Sequence, residues 1–310
     1  AAKDTSSIAA VVGSAGIAGS GGGAASVGVT VSVSQATNTI GNTVEAAIRN
    51  AVNGVTSTSG DISVEAESGG TIQAIASAAS ASVGGAGGAN VQVAGGGAAA
   101  LNIITTSTRA AIEKASGQSA LNRVTSGAGL RVGAKSSQDI DAAVVALSAA
   151  GGGAGIASVP VAIGLSGAQN IIGTWTTTVG GKRLDQPTLD TDGGAKVEAV
   201  IADTVADARG AVAVTATSAG SIDATVAAAS FVATGALVGV GVAGSGSYSG
   251  NAISFATNAA ITGASTSVTG ADVSVLAANL SANTVDVGAA AVAAPAGFVG
   301  VAPPIAVAPA

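Results

Sequence analysis

Side chains able to do chemistry are scarce in this sequence, and the densest group is Asp190-Thr191-Asp192-Gly193-Gly194. Two carboxylates and a hydroxyl beside a tight glycine turn offer hard oxygen ligands, a set that suits Ca2+. The other ligands of a twelve-residue Ca2+ loop are missing, as are Gly-Gly-x-Gly-x-Asp repeats, so a solvated surface loop is the competing reading. Asp190 and Asp192 are therefore the metal candidates, with no other cofactor expected. They lie in an insertion over residues 180–196 that also holds Lys182, Arg183 and Asp185. Trp175, just upstream, either packs this loop onto the body or offers a single ring to a glycan.

The remaining chemistry is defined by absence. With no His and no Cys, the chain has no Ser-His-Asp or Cys-His nucleophile, no imidazole-bound metal, no thiolate zinc site and no disulfide. Glycine runs such as 84–88 and 95–97 are not followed by the Lys-Ser or Lys-Thr of a phosphate loop. A net charge of −6 argues against a nucleic-acid partner, which needs a basic stripe. Charged residues make up only 9% of the chain, and the aromatics are Trp175, Phe231, Tyr248, Phe255 and Phe298. A carbohydrate-active enzyme needs clustered charges in a cleft and aromatic sugar platforms, so no enzymatic activity is expected.

The elements that carry these residues are repeated. An opening of Ala, five small or polar residues and Ile occurs at Ala2–Ile8, Ala66–Ile72, Ala134–Ile140 and Ala216–Ile222, with a degenerate copy from Ala277. Asn38, Asn102, Asn170 and Asn251 follow the openings at intervals of 36, 36, 36 and 35 residues. From each Asn to the next opening the interval is 28, 32, 46 and 26. A half of fixed length implies packed structure, and a half of variable length implies surface loops. The array divides into units 1–63, 64–131, 132–213 and 214–274, with a partial unit 275–310. The equivalent asparagines suit either a stacked amide ladder along the array or four separate local turns.

Charge follows the same division. Residues 5–44, 68–108, 142–181, 224–271 and 287–310 contain no Asp, Glu, Lys or Arg. The bodies of the fixed halves are therefore expected to be buried, within the repeat or against another copy. Val27, Val29, Val31 and Val33 alternate with Gly28, Thr30 and Ser32, and Val91/Val93, Val159/Val161 and Val238/Val240 recur in step. Period two with β-branched residues is a strand signal, and runs this rich in Gly, Ser and Thr do not read as transmembrane helices. A second alternating segment, such as Ile62-x-Val64, precedes each later opening. Each unit is thus expected to hold at least three or four strands joined at glycine corners such as 21–23 and 151–153. The fold class is all-β, a parallel β-helix-like solenoid whose small side chains allow close sheet approach.

The unit Ala-x-Ser…Ile…Gly/Ala-rich…Val-x-Val…Asn…Ala-Ala-Ile resembles, over essentially the whole chain, the repeats of very large bacterial surface proteins. These are the haemagglutinin-like and autotransporter-type filamentous adhesins. The resemblance implies an extracellular, cell-surface β-solenoid that serves adhesion or matrix building, although no secretion signal or translocator domain is seen in these residues. The fifth unit stops within its fixed half, so a second copy is expected to stack head to tail and build a filament. The function expected is a structural subunit of an extracellular filament, sheath or adhesin stalk, with itself as partner in a head-to-tail or lateral homopolymer. The alternative is a binding module whose variable loops contact another cell or a glycan.

Overall fold

A computed structural model describes residues 1–114, 120–173, 175–179, 182–189, 195–296, 299–301 and 303–308, with the backbone alone over 175–179 and 182–189. Each of the first four coils runs out along one long strand, turns, returns along a second course, and crosses the base on a short strand. The first coil is β1 (Ala2–Gly22), β2 (Ala25–Arg49) and β3 (Val55–Ser57). The second is β4 (Ile62–Ala86), β5 (Ala89–Glu113) and β6 (Asn122–Ser126). In the third, β7 (Leu130–Ala154) is followed by β8 (Ala157–Ile172), β9 (Trp175–Val179), β10 (Lys182–Leu189), β11 (Ala195–Ala202) and β12 (Thr204–Ala208). The fourth holds β13 (Val212–Gly235), β14 (Val238–Val240), β15 (Val242–Ile253), β16 (Phe255–Thr262) and β17 (Ser267–Thr269). The fifth holds β18 (Val273–Ala296), β19 (Val299–Val301) and β20 (Pro304–Val307).

The outbound strands form one sheet in the order β1-β4-β7-β13-β18, and the base strands another in the order β17-β12-β6-β3. The return sheet stacks β2, β5, then β8 with β11, then β14 to β16, then β19 and β20. Every pairing in these three sheets is parallel, as a right-handed or left-handed coil of constant sense requires. The strands are long: 25 residues in β4, β5 and β7, about 80 Å at ~3.3 Å per residue. The alternating segment before each opening and the opening itself are one continuous strand, which leaves three strands per ordinary coil.

Register follows the repeat. Ala2, Ala66, Ala134, Ala216 and Ala277 are stacked neighbours, as are Ile8, Ile72, Ile140 and Ile222. Parallel stacking sets equivalent residues one above another, so a sequence landmark becomes an axial column. The insertion in the third coil is an antiparallel hairpin, β9 with β10, that splits its return strand into β8 and β11. Corners fall at Gly23-Ala24, Gly87-Gly88, Gly155-Ile156 and Ala236-Leu237, so the run 151–153 lies inside β7, just before its corner. A Cβ added to Gly87 or Gly155 would overlap the carbonyl oxygen of the corner stacked beside it, Gly23 or Gly87. Close backbone approach is the reason for glycine at those corners.

The packed space between the outbound and return sheets grades along the strands. At the base, Val64, Val132 and Val214 pack with Val44, Ile112, Val197 and Ile201. Next comes a layer of isoleucines, Ile72, Ile140 and Ile222 against Ile40, Ile104 and Ile172. Beyond it the layer is mostly alanine, including Ala76, Ala78, Ala98 and Ala168, and at the corner end it thins to Ala94, Ala150, Ala162, Val232 and Ala243. Toward that end the backbones nearly touch. A Cβ on Gly96 would overlap the Leu147 carbonyl oxygen of the opposite sheet, and one on Gly164 would lie 2.8 Å from that of Ala229.

The uncharged halves are only half buried. Val27, Val29, Val31 and Val33 point outward and are each more than 60% exposed, whereas Ser26, Thr30, Ser32 and Ser34 point inward and are buried. Of the expected burial within the repeat, the inward row alone is enclosed. The bulky aliphatics face out because the narrow gap has no volume for them.

Candidate functional site

The asparagines at equivalent positions form a buried column in the return sheet. Asn38 Nδ2 donates to Asn102 Oδ1, Asn102 to Asn170, and Asn170 to Asn251, each at 2.8 Å. Asn251 then donates to Asn283 Oδ1 at 3.0 Å. Asn283 lies on the opposite sheet, where it takes the place of isoleucine next to Ile222. A carboxamide is both donor and acceptor, so each interior member satisfies the one before and the one after without leaving a buried polar atom orphaned. Repeat spacing in the sequence is what marks these positions.

Two glutamine-centred networks lie on either side of that column, and each glutamine stands at the repeat spacing from a glycine, Gly28 to Gln92 by 64 residues and Gly70 to Gln138 by 68. Near the corner, Gln92 Nε2 donates to Ser20 (2.7 Å) and to Asn90 Oδ1 (2.6 Å), while its Oε1 accepts from Ser82 (2.8 Å). Gly28 and Gly84 make room for this amide, since a Cβ on either would overlap it. Toward the base, Gln138 Nε2 donates to Ser136 (2.8 Å) and Thr106 (3.2 Å), and Ser68 bonds Thr108 at 2.6 Å. A Cβ on Gly70 would overlap the Gln138 amide in the same way. An inward glutamine one repeat away from an inward glycine is the available signal in the sequence.

Charges on the outer surface also stack by coil. Lys3 Nζ lies 2.9 Å from Glu67, and Lys135 lies 3.9 Å from the same carboxylate, so the column alternates plus, minus, plus. In the return sheet Glu45, Arg109 and Glu198 are register neighbours, as are Arg49 and Glu113. Arg109 pairs with Glu113 (2.5 Å), Glu45 (3.1 Å) and Glu198 (3.3 Å), and Arg49 with Glu113 (2.7 Å) and Glu45. Hydrogen bonding from Arg109, reinforced by Arg49, pulls the Glu113 carboxyl down to about 2 against the opposing effect of burial. Glu45 is lowered chiefly by its bond from Arg49. The signal was present in the sequence, since Glu45 and Arg109 are separated by the same 64 residues as Ala2 and Ala66.

Among the described residues no three acidic side chains converge as a metal set. Asp190 and Asp192 lie outside the described residues, and the side chain of Trp175 is not among those described. Nor is any helix of the described chain long and apolar enough to cross a membrane. The amide and charge columns share one property: each bonds a coil to the next at fixed register, and a slip of one residue would break all of them together. They are devices for axial alignment. No family model, curated protein or solved structure matches the chain.

Proposed function

We propose that the chain is a structural subunit of an extracellular filament, sheath or adhesin stalk, extended by continued stacking of coils. The observation that carries this reading is the common register of three sheets, pinned by columns of asparagine and of alternating charge. A further coil, whether of the same polypeptide or of a second copy, meets the same columns. Among the described residues β1 pairs with β4 and β18 with β13, in the same register as the strands between them. The extracellular, bacterial-surface setting rests on the resemblance to filamentous adhesins.

The purified chain is expected to scatter light increasingly with concentration. Micrographs should then contain fibres whose diffraction has a ~4.8 Å repeat along the axis, the spacing of stacked strands. A chain that stays monomeric at the highest attainable concentration removes self-assembly from the proposal. A second reading, a binding module for another cell or a glycan, is favoured by the β9–β10 hairpin, which is added to one coil and stands outside the coil pattern. Exchanging residues 180–196 for a short linker separates the two. Lost cell attachment with intact fibres favours binding, and unchanged attachment favours the structural role.

A further inference from the structure

The outer face of the return sheet near the corner is an apolar field with a regular relief. Val31, Gly95, Ile163, Gly244 and Ile305 are successive register neighbours across the five coils. The next outward row is Val33, Gly97, Leu165, Gly246 and Val307. Both rows read large, small, large, small, large. The branched side chains reach over the glycines: a Cβ on Gly95 or Gly97 would lie 3.6 or 3.7 Å from a Val31 or Val33 methyl, and one on Gly246 would lie 3.3 Å from Leu165 Cδ2. The result is ridges on the odd coils and grooves on the even ones, and a trough of about 480 Å³ runs along the second row between Val33, Leu165 and Val307.

No charged residue lies in this field, and Val31, Val33, Ile163, Leu165, Ile305 and Val307 are all exposed. Together with the outward residues Ala25, Val27 and Val29 and their neighbours in the other coils, it measures roughly 24 by 30 Å, about 700 Å² in projection. That exceeds the largest apolar patch of an ordinary monomer, roughly 300–600 Å². Four stacked coils of it, about 580 Å² at ~4.8 Å per coil, compare with the ~800 Å² that each partner buries in a standard interface.

We infer that this face packs against the same face of a second copy. The two rows of alternating size fix the geometry, while the rows of Val27, Val91 and Val159 and of Val29, Val93 and Val161 are uniformly valine and favour no axis position. A two-fold axis lying between the faces, parallel to the strands and passing between the second and third coils, sets Val31 of one copy over Gly244 of the other, and Ile163 over Gly95. The same operation sets Val33 over Gly246 and Leu165 over Gly97. An axis through the central coil would instead set ridge on ridge. The arrangement is isologous and closes as a dimer, with both charged bases at one end. Packing of this kind, aliphatic knobs over glycine in a dry sheet interface, is that of a steric zipper. The inference deepens the self-assembly reading by adding a lateral contact, and it uses no edge strand.

Sedimentation of the whole chain at micromolar concentration is expected to give a dimer as the smallest species. Val31→Lys with Ile163→Lys should weaken that dimer more than about 100-fold, because it sets charges in a dry interface, while leaving the far-ultraviolet circular dichroism spectrum of the folded chain unchanged. Gly95→Val with Gly244→Val should weaken it as well by filling the grooves, although it makes the surface more apolar; tighter association of this variant would mean unspecific stickiness and overturn the inference. Because the chain has no cysteine, Thr43→Cys accepts a single spin label, and two copies should bring their labels within about 25 Å. A monomer, or a monomer that floats with phosphatidylcholine vesicles, also overturns it. Loss of fibres with dimers retained would sink axial stacking instead and leave the lateral contact standing.

Discussion

The two ends of the coil are built on opposite rules. At the base, valine, leucine and isoleucine fill the interior and the surface carries ion pairs among Glu45, Arg49, Arg109, Glu113 and Glu198. At the corner end the interior holds Ser, Gln, Asn, Gly and Ala, and the surface carries Val27, Val29, Val31, Val33 and Leu165. Even the hydroxyls of Ser80, Ser148 and Ser230 are buried there with no hydrogen-bond partner. The difference teaches that the corner end cannot owe its cohesion to a large apolar core. It holds through backbone ladders, close contact between small residues and paired amides, and its unspent hydrophobic surface faces outward.

The sharpest way to break the comparison uses two adjacent glycines. Gly96→Val drives a side chain into the Leu147 carbonyl across the narrow gap and should destabilise the chain by more than about 3 kcal/mol, or prevent folding. Gly97→Val faces outward with space beside it and should change monomer stability by less than about 1 kcal/mol. Equal effects in thermal or urea unfolding would mean that the interior has been assigned to the wrong face.

A smaller effect comes from making one aliphatic polar in each half. Ile140→Thr removes a fully buried isoleucine from the central layer and should cost about 3 kcal/mol. Val29→Thr on the outward face should stay within ~0.5 kcal/mol in the monomer. Similar midpoints in denaturant for the two variants would erase the distinction between the halves.

The smallest effect is electrostatic and confined to the base. Glu113 titrates at about 2 in the folded chain against an ordinary value of 4.5, so the folded state binds its proton less readily than the unfolded state. Its contribution is fully present above pH ~4.5 and fades as the pH falls toward 2. Solvent screening of this partly exposed cluster holds it to about 1 kcal/mol. Glu113→Gln should flatten the acid limb of a stability–pH curve by that amount, and a curve identical to the parent's would show that the ion pairs contribute nothing.

Much of the fold was legible in the residues because parallel stacking converts sequence period into spatial column. The openings at Ala2, Ala66, Ala134 and Ala216 and the four asparagines mark the register that the sheets adopt. The pairing of Gln92 with Gly28 and of Gln138 with Gly70 is carried by the same repeat spacing, whereas the partners on the opposite sheet, Ser20, Ser82 and Gly84 for Gln92 and Thr106 for Gln138, depend on which strands face each other and were not legible. Three strands per ordinary coil, where the sequence suggested three or four, reflect a run of alternation that continues through the opening without a turn.

What the sequence determined by itself is the β class, the repeat and the axial register, all of which follow from period two and from equal spacing. What only the tertiary structure decided is which of two uncharged faces turns inward. Alternation of Val with Gly, Ser and Thr fits either choice as a pattern. Volume makes the choice: where opposing backbones approach as closely as Gly96 and Leu147 do, only the small residues fit between them, and the valines are left on the surface.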